Sequence, residues 1–310
     1  MSPQSPGTDP LAPLADLPGV AEAVETARAA VDALHRHRVM RRRRTEVAAE
    51  AALRGARASA ALAGADWGLE EVRRRTDFGT DAQARTVGAA LRATAEAAHL
   101  RDIWKTSPLR VLARLHLVAE GGVPAGAGTG AEVAGAAPGA VDAGEGVGTA
   151  SDGGIGVERI GRPRLPGESV TDGGRDAGDL PLPDATETAA RLAALRDLIT
   201  GGSSAPVLVQ AAVVHGELSA LRPFGSRNGI VARAACRIVL TGGGLDPGAV
   251  APAEVGFAEQ GPDAHHAALA EYASGTADGV ARWIIHCGRA VELGARESVA
   301  VCEALQRGAA

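Results

Sequence analysis

Apolar residues recur along most of this chain at three- and four-residue spacing, and that spacing predicts helices. In VAEAVETARAAVDALHRH, Val20, Val24, Ala27, Val31 and Leu34 share one stripe, an amphipathic face that needs a partner. The alanine-rich run that follows Thr45 is an easy helix, stopped by Gly64 and Asp66 before another that begins near Leu69. Two more run from about Ala82 to Leu100 and from Pro108 to Glu120, the second with Leu109, Leu112, Leu115 and Val118 on one face. Leu192, Leu195 and Ile199 mark a further helix. Pro206 to Leu221 is apolar with few breaks, carries Ser204 as an N-cap, and reads as a largely buried helix. Asn228 and Gly229 open the next, which stops at the glycines 242 to 244. Pro262 starts a helix through Tyr272, and Thr276 caps a long one ending near Leu305. The predicted fold class is all-α.

The breaks between helices matter as much. Residues 1–18 hold several prolines and little periodicity, and are expected to be poorly ordered. From Gly121 to Gly154 nearly every residue is small, too little apolar surface to offset the entropy of ordering, so a flexible insertion is expected. Its G-A-G-T-G follows no strand, seeds no helix and has the wrong glycine spacing for a dinucleotide loop. Residues 155–164, IGVERIGRPR, alternate briefly and suggest a small β-hairpin.

Composition narrows the function classes. A chain of 310 residues, 45% hydrophobic and 22% charged, can bury a large core, and its net charge of −5 gives no general attraction to nucleic acid or anionic membrane. Arginines 36, 38, 41, 42, 43 and 44 form a local basic run without interleaved aromatics, which favours a solvated helix face over nucleic-acid binding. Cys236, Cys287 and Cys302 are odd in number, widely spaced and in apolar surroundings, as buried free thiols of a reducing compartment are. With no signal peptide and no membrane-length apolar run, a cytoplasmic location is expected. His99, His116, His265, His266 and His286 show no metal-ligand spacing with acidic residues, and packing or surface roles are expected for them.

The candidate chemistry sits in LRPFGSRNGIVAR, Leu221 to Arg233, between two core helices. A helix that begins at Asn228 directs free N–H groups and the positive end of its dipole into this loop, where an anion is easily held. Arg222, Arg227 and Arg233 lie in the same window. The segment resembles the signature loop of the Fic (Fido) proteins, H-P-F-x-D/E-G-N-G-R-x-x-R, in Pro223, Phe224, Asn228, Gly229 and Arg233. It departs at Arg222 (the histidine position), Ser226 (the acidic one), Arg227 (the first glycine) and Ile230 (the first arginine). Upstream, Ser59 to Gly64 resembles the family's autoinhibitory S/T-x-x-x-E-G, with Ala63 in place of the glutamate.

The resemblance implies a Fic-like helical core with a hairpin flap that docks a protein partner by strand addition through residues 155–165. The implied organisation is 1–18 disordered, 19–120 a helical region packed on the core, 121–154 the insertion, 155–295 the Fic-like core, and 296–310 the end of a C-terminal helix. Fic enzymes transfer AMP from ATP to a protein hydroxyl: the motif histidine takes the proton and the acidic residue holds Mg²⁺. Arg222 cannot act as a base near neutrality, and losing a base costs on the order of a hundred- to ten-thousand-fold in rate. Ser226 is a poor Mg²⁺ anchor. No catalytic or metal-binding residue is therefore expected. The expected site is an anion or nucleotide cradle of Arg222, Gly225, Ser226, Arg227, Asn228, Gly229 and Arg233, taking ATP or another phosphorylated ligand without tightly held Mg²⁺. With Ala63 in the degenerate Ser59, Ala63, Gly64 motif, Arg233 is expected to be free for that ligand. The alternative is a nucleotidyltransferase whose base comes from outside the loop, with His215 the candidate. A membrane partner is not expected, and a homodimer is left open.

Overall fold

The computed structural model describes residues 9–122, 157–172 and 178–308. Among them the chain forms α1 Val20–Arg36, α2 Met40–Leu62, α3 Leu69–Arg74, α4 Ala82–Trp104, α5 Pro108–Ala119, α6 Ala185–Gly201, α7 Val207–Leu221, α8 Asn228–Gly242, α9 Ala253–Gln260, α10 Pro262–Ala273 and α11 Ala277–Gln306. No strand occurs among the described residues, so the all-α expectation holds.

The helices that are apolar all round are the central ones, as burial requires. α7 buries all but three of its fifteen residues and α8 all but one, and the two pack against each other as an antiparallel pair. α4 and α5 pack on α8, while α10 and α11 pack on α7 and α9 packs on α11 and α2. The predicted stripe of α1 lies against α11, with Val20, Ala27, Val31 and Leu34 fully enclosed and Val24 partly so. Each such aliphatic side chain contributes on the order of 1.5–3 kcal/mol when removed from water.

Local signals set several ends. Gly64 takes φ +91° just past α2, where a side chain would be strained, and Ala65 N–H closes the turn on Ala60 O at 2.8 Å. Thr276 caps α11 as expected, its hydroxyl accepting from Gly279 N–H at 3.1 Å. Thr276→Ala is expected to cost about 1 kcal/mol, read as a lower urea midpoint at unchanged slope.

Several boundaries differ from the sequence reading. Within 1–18, residues 9–18 are ordered: Leu11 is buried, Ala12–Asp16 form a 3-10 turn, and the Asp9 carboxylate accepts from Ser203 Oγ, Ser204 Oγ and Ser204 N–H. Ser204 is thereby tied to Asp9, and Pro206 stands at the N-cap of α7. The division at residue 295 falls inside one continuous helix, α11. Of the expected hairpin, residues 155–156 lie outside the described residues; in the rest Val157–Arg159 form a 3-10 turn and Gly161 takes φ +79°, which ends any extended run. Apart from Gly121 and Gly122, the 121–154 insertion lies outside the described residues.

Candidate functional site

The loop from Arg222 to Arg227 joins the C-terminus of α7 to the N-terminus of α8. Its two ends are non-glycine residues in left-handed backbone, Arg222 at φ +44° and Arg227 at φ +59°. Such residues are rare because Cβ crowds the following carbonyl, which costs roughly 1–2 kcal/mol each. The glycine of the Fic pattern at position 227 suits that φ; here an arginine adopts it and is held from outside the loop. Asn228 closes the turn: its Oδ1 accepts from Phe224 N–H at 2.8 Å and its amide donates to Phe224 O at 2.9 Å.

The three arginines point three ways. Arg222 donates from Nη2 to Leu180 O at 2.7 Å and Pro181 O at 2.8 Å, in the proline-rich link before α6. Burial and the neighbouring Arg164 charge lower its pKa. Arg227 reaches α4, donating to Thr86 Oγ1 at 2.6 Å, and lies 3.6 Å from the Glu120 carboxylate just past α5. Arg233, only 2% exposed, donates from Nε to Ser59 Oγ and from Nη2 to Ser59 O, both at 2.9 Å. The expected convergence on one anion is thus not assembled. The expectation that Ala63 leaves Arg233 free is also corrected, because Ser59 of the same degenerate motif holds it from α2. Ala63 is the C-cap of α2 and Gly64 serves the left-handed turn beyond it.

What faces the loop instead is negative. Asp172 accepts from Asn228 N–H at 2.9 Å and also from the Asn228 side-chain amide, so a carboxylate of this chain sits on the N-terminus of α8. Ser226 donates its hydroxyl to Glu120. The charge missing at position 226 is therefore supplied from the end of α5. The 164–172 segment runs beside the loop: Arg164 N–H donates to Pro223 O at 2.7 Å, and Thr171 donates to Gly225 O from N–H at 2.8 Å and from Oγ1 at 3.0 Å. The Arg164 guanidinium is buried and donates to Arg222 O at 3.1 Å, to Leu221 O, to Thr188 Oγ1 at 2.7 Å and to Pro183 O. A cation there meets the negative end of the α7 dipole, though burial lowers its pKa. Gly229 is enclosed in the first turn of α8.

Two histidines lie near enough to consider as bases. His116 stacks on Phe224 with ring centres 4.3 Å apart, accepts Gly161 N–H at Nδ1 (2.9 Å), and has Nε2 3.8 Å from Glu120, too far for a hydrogen bond. Burial, aided by the Arg227 charge, pushes its pKa down to about 4. His215 is fully buried in α7 among Phe257, His265 and Trp283, with both ring nitrogens unpartnered and its pKa held well below the usual range by burial. Neither is presented to the loop for proton transfer. Among the described residues no group of three or more His, Cys, Asp or Glu is placed to hold a metal ion.

Glu120, Thr86, Arg164 and Asp172 were not singled out in the sequence. They reach the loop from 58 to 141 residues upstream of their partners, or 56 for Asp172, and no local period marks them.

Comparison with known proteins places the architecture. No family model matches the chain, and no curated protein sequence matches it. Solved structures do. A Fic family protein from Desulfovibrio desulfuricans G20 superposes with a TM-score of 0.64 at 18% identity, covering 92% of this chain and 75% of that one. A fragment of Fic-1 from C. elegans gives 0.55 at 12% identity, covering 92% and 73%, and a point variant of that fragment gives 0.53 at 14%, covering 91% and 71%. The fold is that of the Fic proteins. The loop of this chain reads RPFGSRNGIVAR, with Arg222 where the signature pattern has histidine.

Proposed function

We propose that this Fic-fold protein does not transfer AMP and acts as a binding or regulatory protein, its loop taking a nucleotide or other phosphorylated anion in exchange for Asp172. The observation that carries this reading is the Asp172 carboxylate on Asn228 N–H at the start of α8. A backbone donor at a helix N-terminus that already holds one anion suits another. Two further features support the loss of transfer chemistry. Arg222 cannot accept a proton, and its guanidinium is turned to the 180–181 carbonyls. The residues present also fit Mg²⁺ poorly: Glu120 is the carboxylate at Ser226, and Arg227 lies 3.6 Å from it, where a cation already balances its charge. No step of the proposal runs through the metal.

The transferase reading requires a base from outside the loop. The buried, unpartnered state of His215 and the occupied Nδ1 of His116 weigh against both candidates.

Calorimetry with ATP, ADP and inorganic phosphate, with and without Mg²⁺, tests the binding reading. Asp172→Asn removes the competing charge and is expected to tighten binding about tenfold or more, the scale of one charge-assisted hydrogen bond. No heat at millimolar ligand from either the parent protein or the variant sinks the anion site. Labelled ATP incubated with the protein and a cell lysate tests the transfer reading, since a mass adduct on any protein would reinstate an enzyme.

A further inference from the structure

The far end of the α7–α8 pair, about 20 Å from the loop along the helices, holds a cavity of about 700 Å³. It opens where the C-terminal ends of α4, α6 and α8 meet the N-terminal end of α7. Trp104, Ile199, Val214, Ile238 and Val239 form the apolar part of its wall, and Ser203, Gln210 and Thr241 are among the polar residues that line the rest. A volume of this size lies in the range that encloses a drug-sized organic molecule.

Of the polar groups at this cavity, Ser203 spends its hydroxyl on Asp9 and Thr241 donates to Arg237 O at 2.8 Å. Trp104, 5% exposed, makes no side-chain hydrogen bond among the described residues. Gln210 uses its amide N–H groups on Ala205 O (2.7 Å) and Ser203 O (3.4 Å), which leaves its carbonyl to accept. At the mouth stand Arg101, Lys105 and Asp102, all exposed, and none of the three forms an ion pair among the described residues. The mouth thus has one positive charge in excess. Lys105 is also the only lysine in the chain, whose other cationic side chains at neutral pH are arginines.

We propose that this cavity binds an organic monoanion with an apolar body, the body lying against Trp104, Ile199 and Val239 and the acid group meeting Arg101 and Lys105 at the mouth. The apolar part of the wall supplies affinity without direction, and the excess cation at the mouth selects an acid over an amine of equal length. This site is separate from the motif loop and does not depend on what that loop binds.

Gly242 provides the decisive variant. It is the last residue of α8, it lines the cavity, and a Cβ built there meets only the Arg101 Cβ, at 4.0 Å, so the backbone accepts a side chain at this position. The probe is 8-anilinonaphthalene-1-sulfonate, followed by its fluorescence on the full chain and displaced with dodecanoate or dodecylammonium. Saturable one-site binding is expected, reversed by dodecanoate at concentrations at least tenfold lower than by dodecylammonium. Gly242→Trp is expected to abolish it without lowering the thermal midpoint. The exposed double variant Arg101→Glu with Lys105→Glu, which touches no core residue, is expected to weaken it about tenfold or more. Binding that survives in both variants, or equal displacement by the amine, overturns the proposal.

Discussion

Lowering the pH from 6.5 to 4 is expected to unfold this protein, and the cause lies in histidines rather than carboxylates. His215 on α7 faces Arg233 on α8, Phe257 on α9, His265 on α10 and Trp283 on α11. His265 in turn lies 3.1 Å from His286, nitrogen to nitrogen. All three rings are buried, and the formal charge facing them is the Arg233 guanidinium, so protonation is opposed by desolvation first and by like charge second. Burial brings His286 to about 4, as it does His116 at the loop, and holds His215 and His265 well below the ordinary value.

These folded-state values lie below the unfolded value of about 6.5. Above pH 6.5 neither state binds the protons and stability is full. Between 6.5 and the folded values the unfolded chain binds more protons, so stability falls as pH falls. Each histidine contributes roughly 1.4 kcal/mol per pH unit across that window. Four of them together give at most about 5.6 kcal/mol per unit, against a typical total stability of about 5–15 kcal/mol. Urea titrations at pH 8, 6 and 5 should show the midpoint falling steeply below 6.5. His215→Leu removes two buried unpartnered nitrogens at similar volume, so it should be no less stable at pH 8 and should show a slope shallower by about 1.4 kcal/mol per unit. A midpoint that is flat from pH 7 to 5 rules this account out.

How much of this was legible beforehand depended on range. The α1 stripe, the Thr276 cap, the Gly64 stop and the apolar runs flanking the loop all arise from neighbours a few residues apart, where periodicity and capping chemistry act directly. The direction of a side chain is a different quantity. Arg222 and Arg227 were grouped with Arg233 because they share a short window, yet left-handed backbone at both positions sends them toward the 180–181 carbonyls and toward α4. An arginine in sequence does not announce a positive φ as a glycine does. Asp172 and Glu120 were missed because carboxylates that arrive from distant segments leave no trace beside the residues they meet. The hairpin was misread for a local reason, since the alternation in IGVERIGRPR includes Gly161 at φ +79°. The tail after Gly244 reads as helices, but Pro252, Gly256 and Gly261 punctuate the eight residues of α9, so no period sets its bounds.

Gly256 in that short helix carries the other large prediction. By helix propensity alone, Gly256→Ala should stabilise by about 1 kcal/mol. The packing reverses the sign. A Cβ at this position would stand 2.0 Å from Ala290 O, 2.5 Å from Ala290 Cα and 2.6 Å from Ala290 C, all backbone of α11 that no rotamer change can move. Four residues along α11, a Cβ on Gly294 would stand 2.4 Å from Pro252 O, so the two helices are in backbone contact at two points and cannot pivot about one to relieve the other. Separating them withdraws Phe257, 1% exposed, from the ring cluster around His215 and His265. Overpacking of this kind costs about 1–3 kcal/mol where side chains can adjust, and here about 3 kcal/mol or more is expected because backbone must move. Gly242→Ala is the matched control: its new methyl group meets only the Arg101 Cβ at 4.0 Å, and the same propensity argument predicts a gain of up to about 1 kcal/mol. Denaturant midpoints for the two variants should therefore move in opposite directions. If Gly256→Ala is as stable as the parent, α9 and α11 do not approach as closely as described, and the enclosure of the histidine cluster that drives the acid transition fails with them.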